Sequence, residues 1–443
     1  MSKEVLSWGR AHRFDHAVER PRSAEALRRA AAELGDGELG LAYGLGRSYG
    51  DSCLNEGGRL IVTQALDRFI AFDRERGVIR CDAGVSLADI LKIAGPSGWF
   101  LPATPGTKFV TVGGAIANDV HGKNHHRAGT FGAHVLRFEL LRSDGGAVLC
   151  APDSHEELFR ATIGGLGLTG VISWAEIQLK SVDSLMLDAE DIRFEDLDEF
   201  FEISRASQLD WEYVVGWIDC ASGGDTDRFR GILSRANHAP VLAGAAPRKE
   251  KPTVGLPFVG PPGLVNRLTV RAFNALYVRK APTVPQLRRI DYEPFFYPLD
   301  AVLNWNRIYG PKGFYQHQCV IPPEAAKAGV AELCRRIARG GGGSPLTVLK
   351  LFGPAASPGL MSFPEEGATL AIDFPNAGAR TLELLDDLDA IVVGYGGRTY
   401  PAKDGRMSAA TFQRGYPNWR EFAAHVDPGL SSSFWRRVSV DLG

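Results

Sequence analysis

The stretch VTVGGAIANDVHGKNHHRAGTFG, residues 110–132, decides how this chain is interpreted. It places glycines and alanines around one histidine, His121, and continues with Lys123. Glycine lets a backbone approach a flat or charged ligand closely, and loops dense in small and polar residues usually bind ligands. A second loop of this character, GLGRSYGDSCLN, spans residues 44–55. Two such loops in one N-terminal region predict a large cofactor with a phosphate part and a ring part.

Length and composition limit the class of protein. A chain of 443 residues, 44% hydrophobic and 23% charged, predicts two or more ordinary globular domains. The net charge of -2 supplies no basic field, so no nucleic-acid partner is expected. The six cysteines are scattered without a CxxC pair, which favours buried reduced thiols over disulfides or zinc. The charged N-terminus and the lack of a long apolar run predict a cytoplasmic protein without signal peptide or transmembrane segment.

The first part of the chain mixes strands and helices without strict βαβ alternation, which predicts an α+β fold. Ser23 and Ser86 stand where helix N-caps are expected, and Ser154 with Glu157 forms an expected capping box. The pattern predicts helices over 23–35 and 86–95 and a third ending near 163, with strands over 60–64, 78–84 and 171–180 and a hairpin over 135–151.

The pattern changes after about residue 183. It predicts helices over 194–204 and from 323, with strands over 211–220, 314–322, 346–353 and 369–375. Residues 239–263 are rich in proline and glycine and predict a mobile loop. The next segment, 264–281, predicts a helix with apolar Leu264, Leu268, Phe273 and Leu276 and basic Arg267, Arg271, Arg279 and Lys280. Such a helix is either a core helix with solvated arginines or one that lies on a membrane surface.

Each glycine-rich loop has a second interpretation. Residues 44–50 could form a backbone nest for a diphosphate or an ordinary tight turn, and they fit neither the GxGxxG fingerprint nor a Walker loop. Residues 101–122 could hold a rigid backbone against a tricyclic ring, or form a buried crossover. Adjacent histidines such as His125 and His126 point in different directions and lack a carboxylate pattern, so no metal site is predicted.

Polar residues on two predicted strands extend the candidate site. Lys350 stands in an apolar strand, facing either an interior cleft or solvent, and the cleft is favoured by its apolar neighbours. Gln316 and Gln318 share one strand face because alternate residues point the same way. Two amides on one face suit a hydroxyl-rich ligand such as a sugar, or they form a polar outer face.

Taken together, several blocks resemble one enzyme family. The chain resembles the decaprenylphosphoryl-β-D-ribose 2-oxidase family almost from end to end. The resemblance is carried by blocks that occur in the same order as in that family: GLGRSYGDSCLN, the 110–132 stretch, GWID, NWNRIYGPKGFYQHQCVIP, LKLFGP and YPAKD. The resemblance implies a two-domain FAD enzyme of the vanillyl-alcohol oxidase (PCMH-type) fold. It implies an FAD-binding domain over 1–185, a substrate domain with an antiparallel sheet flanked by helices over 186–397, and a C-terminal segment, 398–443, that returns to the first domain.

The resemblance also implies which residues contact FAD. In the first loop these are Gly44, Gly46, Arg47, Ser48, Tyr49 and Gly50. Farther along they are Pro105, Gly106, Thr107, Thr111, Gly114, Ala117, Asn118, His121, Gly122 and Ile172. Some relatives of this fold bond the flavin covalently to a histidine in the first loop. No histidine stands there in this chain, so noncovalent FAD is expected.

The active-site positions that the resemblance implies are catalytic Lys403, His121 and Tyr49, and substrate-binding Lys123, Trp217, Gln316, Gln318, Lys350, Thr369 and Ala371. Mycobacterial members carry Asn and Cys on the substrate-facing strand, where this chain has Thr369 and Ala371. At this strand the chain therefore departs from the mycobacterial pattern and has no cysteine for covalent inhibition.

The implied reaction is oxidation of the 2-hydroxyl of a polyprenyl-phosphate-linked ribofuranose to a ketone, the first half of epimerisation to an arabinose donor for cell-envelope glycan. Lys403 is the candidate base, provided that burial lowers its pKa. A separate NAD-dependent keto-reductase and peripheral contact with the inner membrane are expected. An FAD oxidase of a soluble sugar, alditol or aldonolactone is the alternative activity. A noncatalytic flavin- or sugar-binding protein is the alternative from another class.

Overall fold

The computed structural model describes residues 5–35, 37–221, 228–241, 253–341 and 343–442. The described strands of the N-terminal region are β1 (Ala17–Glu19), β2 (Gly40–Tyr43), β3 (Arg59–Val62), β4 (Phe69–Asp73), β5 (Val78–Asp82), β6 (Trp99–Phe100), β7 (Val135–Leu141), β8 (Ala147–Cys150), β9 (Val171–Gln178) and β10 (Lys180–Ser181). Its helices are α1 (Ala24–Ala32), α2 (Leu87–Ala94), α3 (Val112–Ala117), α4 (His125–Ala128) and α5 (Glu156–Thr162).

Two sheets organise this region. One is parallel, in the order β1-β3-β2, and the other is antiparallel, in the order β4-β5-β9-β7-β8. The side chains of Ser23 and Ser86 accept hydrogen bonds from the first turns of α1 and α2, as predicted. The apolar face of α2 packs with the inner faces of β5, β7 and β9 in one hydrophobic core.

The middle of the chain follows with β11 (Met186–Phe194), α6 (Leu197–Asp210), β12 (Tyr213–Ile218), β13 (Gly231–His238), β14 (Val254–Gly255), α7 (Arg267–Tyr277), β15 (Arg288–Asp291), α8 (Tyr292–Phe296), β16 (Val302–Leu303), β17 (Phe314–Ile321), α9 (Ala326–Gly340), β18 (Thr347–Phe352), β19 (Gly367–Pro375), α10 (Ala379–Gly394) and β20 (Arg398–Thr399). Eight strands form one antiparallel sheet in the order β15-β11-β13-β12-β18-β19-β17-β20. Helices α6, α9 and α10 pack on one face of this sheet around a second core. The opposite face is left for the site.

The last helices are α11 (Ala409–Gly415), α12 (Trp419–Ala423) and α13 (Ser433–Val438). They pack against β2 and β3, since Phe412 and Trp435 share a core with Leu41 and Leu60. Buried Asp427 also accepts a hydrogen bond from the Ser143 amide at 3.0 Å. The C-terminal helices therefore lie on the N-terminal region, while β20 still pairs with β17. The domain boundaries at 185 and 397 remain predictions.

Two local predictions are wrong. Ser154 and Glu157 form no capping box, because His155 is the N-cap of α5, with a left-handed φ of 52° and no side-chain capping bond. The Ser154 hydroxyl instead lies 3.5 Å from the Leu149 carbonyl, to which it donates. The core interpretation of the helix over 264–281 also fails.

Helix α7 does bury one face, but the apolar residues that the sequence analysis named for this helix do not lie on it. It turns Val270 and Asn274 inward, while Leu268 is 80% and Leu276 66% exposed. Other apolar residues between 254 and 302 are exposed too, and with those of α7 and the turn before it we call them the apolar patch: Val254, Phe258, Leu264, Leu268, Phe273, Leu276, Val284, Leu287 and Val302. Of the predicted mobile loop 239–263, residues 242–252 lie outside the described residues.

The structure also bears on membrane spans, metals and disulfides. Among the described residues, every helix is too short or too polar to cross a bilayer. The same residues contain no group of three or more His, Cys, Asp or Glu that could hold a metal ion. All six cysteines lie in the described ranges and are free thiols; five are buried and Cys53 is half-buried.

Candidate active site

A cavity of about 970 Å³ lies between the glycine-rich loops of the N-terminal region and the face of the eight-stranded sheet opposite α6, α9 and α10. Its wall contains every site residue predicted from the sequence except Gly50. Gly50 sits behind the first loop, where a Cβ atom would come within 1.5 Å of the Asp404 carbonyl oxygen. Its glycine identity is thus required by packing of the C-terminal segment.

The two glycine-rich loops meet at the base of the cavity. A Cβ atom at Gly44 would lie 2.4 Å from the Thr111 hydroxyl, so only glycine allows this approach. Thr111 caps α3 by accepting a hydrogen bond from the Gly114 amide at 3.1 Å. Arg47 ties the loops together by donating from Nε to the Phe109 carbonyl at 3.0 Å. The loops therefore form one rigid wall of backbone and small side chains.

The opposite wall is the middle of the sheet. In the antiparallel register, Gln316 pairs with Asp373 and Gln318 with Ala371, while Lys350 on β18 pairs with Thr369. All six residues line the cavity, because residues two apart on a strand share a face. Their neighbours Leu370 and Ile372 point into the core under the helices. The structure thus places both glutamines and Lys350 on the cavity, and not on an outer face.

His121 lies at the contact between the loops and the sheet. Its ring is buried, lies edge-on to Phe352 with 4.8 Å between centroids, and has Nε2 3.1 Å from the Gln318 amide nitrogen. Burial, with Lys350 and Lys403 nearby, holds the pKa of His121 well below its usual range. The imidazole is therefore neutral, and its Nε2 accepts the proton of the Gln318 amide. Its Nδ1 is buried and has no hydrogen-bond partner within the described part of the chain.

Three buried lysines converge on the cavity. Lys123 Nζ donates to the carbonyls of Phe295 and Phe296 at 2.7 and 3.0 Å, and Lys350 Nζ donates to the Gly122 carbonyl at 3.3 Å. Burial, together with the positive charge of a neighbouring lysine, lowers the pKa of Lys123 and of Lys350 to about 7 each. Burial lowers the pKa of Lys403 to about 8, although Asp373 acts in the opposite direction. These lysines can lose protons near neutral pH.

Tyr49 contacts the lysine that the resemblance marks as the base. The ammonium of Lys403 lies 3.8 Å from the centroid of the Tyr49 ring. Burial raises the pKa of Tyr49 well above its usual range, so its phenol stays neutral. Tyr49 can orient a ligand or donate a hydrogen bond, but it is a poor base at neutral pH.

The mouth of the cavity lies beside the apolar patch. Trp217 donates from its indole nitrogen to the Pro345 carbonyl at 2.8 Å, and its ring centroid lies 4.8 Å from that of Tyr277 on α7. Phe273 and Val302, both in the patch, also line the cavity. The cavity therefore runs from the glycine-rich loops, past the lysines, to an exposed apolar surface.

Two buried carboxylates on the cavity wall, Asp373 and Asp300, escaped the sequence analysis. The sequence did contain a signal for Asp373. It lies on the same predicted strand as Thr369 and Ala371, and the spacing of two residues puts all three side chains on one face. No comparable pattern marks Asp300, which lies outside the regular strands and accepts a hydrogen bond from the Lys108 amide at 2.9 Å.

Comparisons with known proteins agree with this architecture. Residues 16–151 match the family model described as an FAD binding domain. The chain is 39% identical to decaprenylphosphoryl-β-D-ribose oxidase of Mycolicibacterium smegmatis, over 99% of this chain and 98% of that protein. It is 34% identical to an uncharacterized protein in the mprA 5′ region of Streptomyces coelicolor, over 81% of this chain and all of that protein. A D-lactate dehydrogenase of Anaerostipes hadrus is 28% identical over only 31% of this chain and 30% of its own length.

The fold and the matches define the class of protein first. It is an FAD-dependent oxidoreductase with the predicted two-domain α+β, PCMH-type fold. More narrowly, the chain belongs to the decaprenylphosphoryl-β-D-ribose oxidase family.

Proposed function

We propose that this enzyme oxidises the 2-hydroxyl of a polyprenyl-phosphate-linked ribofuranose to the 2-keto sugar. The observation that carries the proposal is one continuous cavity. It joins a wall of glycine-rich loops to three lysines and two glutamines, and it opens beside the apolar patch. These parts match the chemistry of a cofactor, a phosphorylated sugar and a lipid tail in turn. The family relationship supports the same substrate class.

The loop wall fits FAD by shape. Side chains are absent where a flat ring or a diphosphate needs close approach, as at Gly106, whose Cβ position is open space. The unpartnered Nδ1 of His121 supplies a polar atom at the sheet end of this wall. Gly44 to Tyr49 and residues 105–122 would hold the cofactor, with Ile172 near the adenine. When bound, FAD supplies the hydride acceptor.

The residues of the first loop support noncovalent attachment. Residues 44–55 contain no histidine, and Cys53 has a pKa raised to about 12 by burial, which keeps it from acting as a thiolate. We expect acid precipitation of the yellow holoenzyme to leave all the flavin in the supernatant. Flavin that stays in the protein pellet would contradict noncovalent binding, and mass spectrometry of its peptides would locate the bond.

Lys403 is our candidate for the base. Its lowered pKa leaves part of it neutral near pH 8, where it can take the proton of the sugar hydroxyl. His121, neutral and bonded to Gln318, orients that amide and contacts the ring region. The aromatic ring of Tyr49 contacts the Lys403 ammonium and would position it.

The sugar and its phosphate are assigned to the sheet wall. Gln316 and Gln318 present amides for hydroxyl groups, and Lys350 and Lys123 present ammonium groups for phosphate oxygens. Trp217 stands near the mouth. Thr369 and Ala371 are the two positions most open to specificity differences, since both are small and lie on the strand next to Gln318.

The visible spectrum tests the proposal. We expect flavin bands in the purified protein and their loss when a prenylphosphoryl ribose analogue is added without oxygen. β-D-Ribofuranose 1-phosphate, which keeps the anomeric phosphate and lacks only the prenyl chain, is the matched control and should bleach the flavin far more slowly. Bleaching by soluble sugars, alditols or aldonolactones alone would favour the alternative oxidase. Flavin that no such substrate reduces would favour a binding protein.

We further infer that the apolar patch contacts the surface of an anionic membrane, on its cytoplasmic side. Leu264, Leu268 and Leu276 form a stripe on the exposed side of α7 and the turn before it, next to Arg267 and Arg271, which are also exposed. Apolar and basic residues side by side are typical of segments that lie in the interface of anionic bilayers. The location beside the cavity mouth would let a prenyl chain pass from the bilayer to the site.

Vesicle sedimentation tests this surface. We expect binding to phosphatidylglycerol vesicles, weaker binding to phosphatidylcholine vesicles, and loss of binding in Leu268→Ser with Leu276→Ser. Leu209→Ser is the matched control, because Leu209 is an equally exposed leucine at the end of α6. Equal sedimentation of all variants would contradict membrane contact.

The 2-keto product requires a reducing partner if the sugar is to be epimerised. We expect a separate NAD-dependent reductase to return hydride to the opposite face of the ketone. Release of the keto sugar and its reduction by an added reductase, followed by sugar analysis, would test this step.

A further inference from the structure

We propose that Asp373 is a positioning residue for this reaction: its carboxylate holds Gln316 toward the substrate and sets how readily Lys403 takes and keeps a proton. The inference rests on the proposed function, because it concerns the same hydroxyl oxidation. Asp373 was not among the residues indicated by sequence or family resemblance.

Asp373 is a completely buried acid in the middle of the sheet wall. Its side chain is 0% exposed and lies on the cavity face of β19. One carboxylate oxygen accepts from the Gln316 amide at 2.5 Å, and the other accepts from the Tyr309 hydroxyl at 3.1 Å. Two neutral donors partly compensate a buried negative charge, so the carboxylate stays close to the boundary between its charged and neutral forms.

Charged and titratable groups surround this acid from the neighbouring elements. Lys403 comes from the segment after β20, Tyr49 from the first loop, and Tyr309 from the turn before β17. Burial raises the pKa of Asp373 to about 7, and Lys403 opposes this rise.

Two further groups act on Lys403. Lys350, on β18, is a second ammonium within electrostatic range of Lys403. His121 lies in the same field but is neutral, because burial depresses its pKa. Among these groups Asp373 is therefore the one that can offset the positive charge of Lys403 with a negative charge.

The charge balance explains how Asp373 would act. When the sugar hydroxyl is oxidised, its proton would pass to Lys403 Nζ, and bound FAD would supply the acceptor for the hydride of carbon 2, so that two electrons leave the sugar. Lys403 then becomes an ammonium ion in a buried site. An ionised Asp373 stabilises that ammonium and makes Lys403 a stronger base. A neutral group at position 373 would leave Lys403 easier to deprotonate but weaker as a base.

The test is the pH dependence of flavin reduction in the Asp373→Asn holoenzyme, followed in a single anaerobic turnover. The rate rises as Lys403 loses its proton, so the acidic limb reports the pKa of Lys403. We expect Asp373→Asn to move this limb to lower pH by about one unit and to lower the plateau rate severalfold. Asp300→Asn, a second buried carboxylate on the cavity wall, is the control and should leave the limb in place. An unmoved limb in Asp373→Asn would overturn the proposal.

A second measurement needs no substrate. Infrared titration of the wild-type holoenzyme should show a buried protonated carboxyl that ionises near pH 7, and Asp373→Asn should lose that band. Tyr309→Phe should move its midpoint to higher pH, because the carboxylate loses one donor. A carboxyl band that stays protonated throughout the pH range of flavin reduction would overturn the proposal even if substrate reduces the flavin, because Asp373 would then carry no charge. A band that behaves as expected without any substrate-dependent bleaching would leave Asp373 assigned and the proposed substrate wrong.

Discussion

Lys403 shows how its surroundings change the chemistry of one side chain. In solvent a lysine is charged at neutral pH and cannot act as a base. Here the Tyr49 ring covers its ammonium at 3.8 Å, and burial lowers its pKa to about 8. The YPAKD motif alone does not predict this, because the ring and the acid that surround Lys403 come from distant parts of the chain.

Replacing this lysine separates catalysis from cofactor binding. We expect Lys403→Ala to keep its bound FAD and to lose turnover by roughly 10²–10⁴-fold, the usual value of acid–base help. Stopped-flow flavin reduction measures the rate, and the visible spectrum measures the flavin content. Lys312→Ala, at an exposed lysine outside the cavity, is the control. Loss of FAD together with activity would make Lys403 a structural residue.

At the scale of elements, the two faces of β17 serve different purposes. Gln316 and Gln318 face the cavity, while His317 between them points to the helices and lies 3.0 Å from Asp389 on α10. Arg406, in the segment that follows β20, also bonds Asp389, at 2.7 Å. This buried cluster joins the sheet, a covering helix and the segment that carries Lys403. Contacts with α10 on the face opposite the cavity therefore hold β17, the strand that presents the glutamines, in place.

Removing the charge from this cluster should cost stability. Breaking a buried ion pair by changing one partner typically costs about 3 kcal/mol or more, so Asp389→Asn should lower the free energy of unfolding by about that amount. Urea unfolding in excess FAD measures the change. Asp198→Asn is the control, because Asp198 is 74% exposed and its ion pair with Lys327 lies on the surface. Equal midpoints for the two variants would contradict this role.

The same contacts determine how the contribution of Asp389 to the free energy of unfolding changes with pH. Burial alone would raise the pKa of Asp389, but the hydrogen bond and charge of His317 and the charge of Arg406 outweigh it and lower the pKa. An acid with a lowered pKa stabilises the fold above its unfolded pKa and loses that contribution as the pH falls. The stability difference between the wild type and Asp389→Asn should therefore shrink in acid.

At the scale of the whole molecule, the cavity is assembled from three parts of the chain. The loops come from the N-terminal region, the opposite wall from the eight-stranded sheet, and Lys403 from the segment that goes on to pack against β2 and β3. FAD bound between these parts would contact groups that are together only in the folded protein. Cofactor binding should thus stabilise the entire fold.

Removal of FAD measures this linkage. A ligand that binds only the folded state at 100 times its Kd adds about 2.7 kcal/mol to stability, so the apoprotein should unfold at a clearly lower temperature than the holoprotein. Titrating FAD back should restore the temperature progressively. Adenosine monophosphate, which offers only the adenine end, is the control and should restore much less. An unfolding temperature that does not depend on FAD would contradict binding across the cavity.

Much of the fold was predictable from local sequence signals. Ser23 and Ser86 cap the helices where they were expected, because capping depends on a few neighbouring residues. The alternation of residues on β17 likewise predicted that Gln316 and Gln318 share a face. The same logic failed at His155, because its left-handed backbone comes from the turn that joins β8 to α5 and not from a capping residue type.

By itself the sequence determined the glycine-rich loops, the periodicity of the strands and helices, and the family, since all of these depend on residues close together in the chain or on ordered motifs. Only the tertiary structure decided that Lys350 and both glutamines face the cavity, that the leucines of α7 are exposed, and that Asp373 lies beside Gln316 and accepts its hydrogen bond. Burial and electrostatic fields come from residues brought together by folding. The pKa values on which the chemistry depends therefore belong to the assembled cavity and not to any one motif.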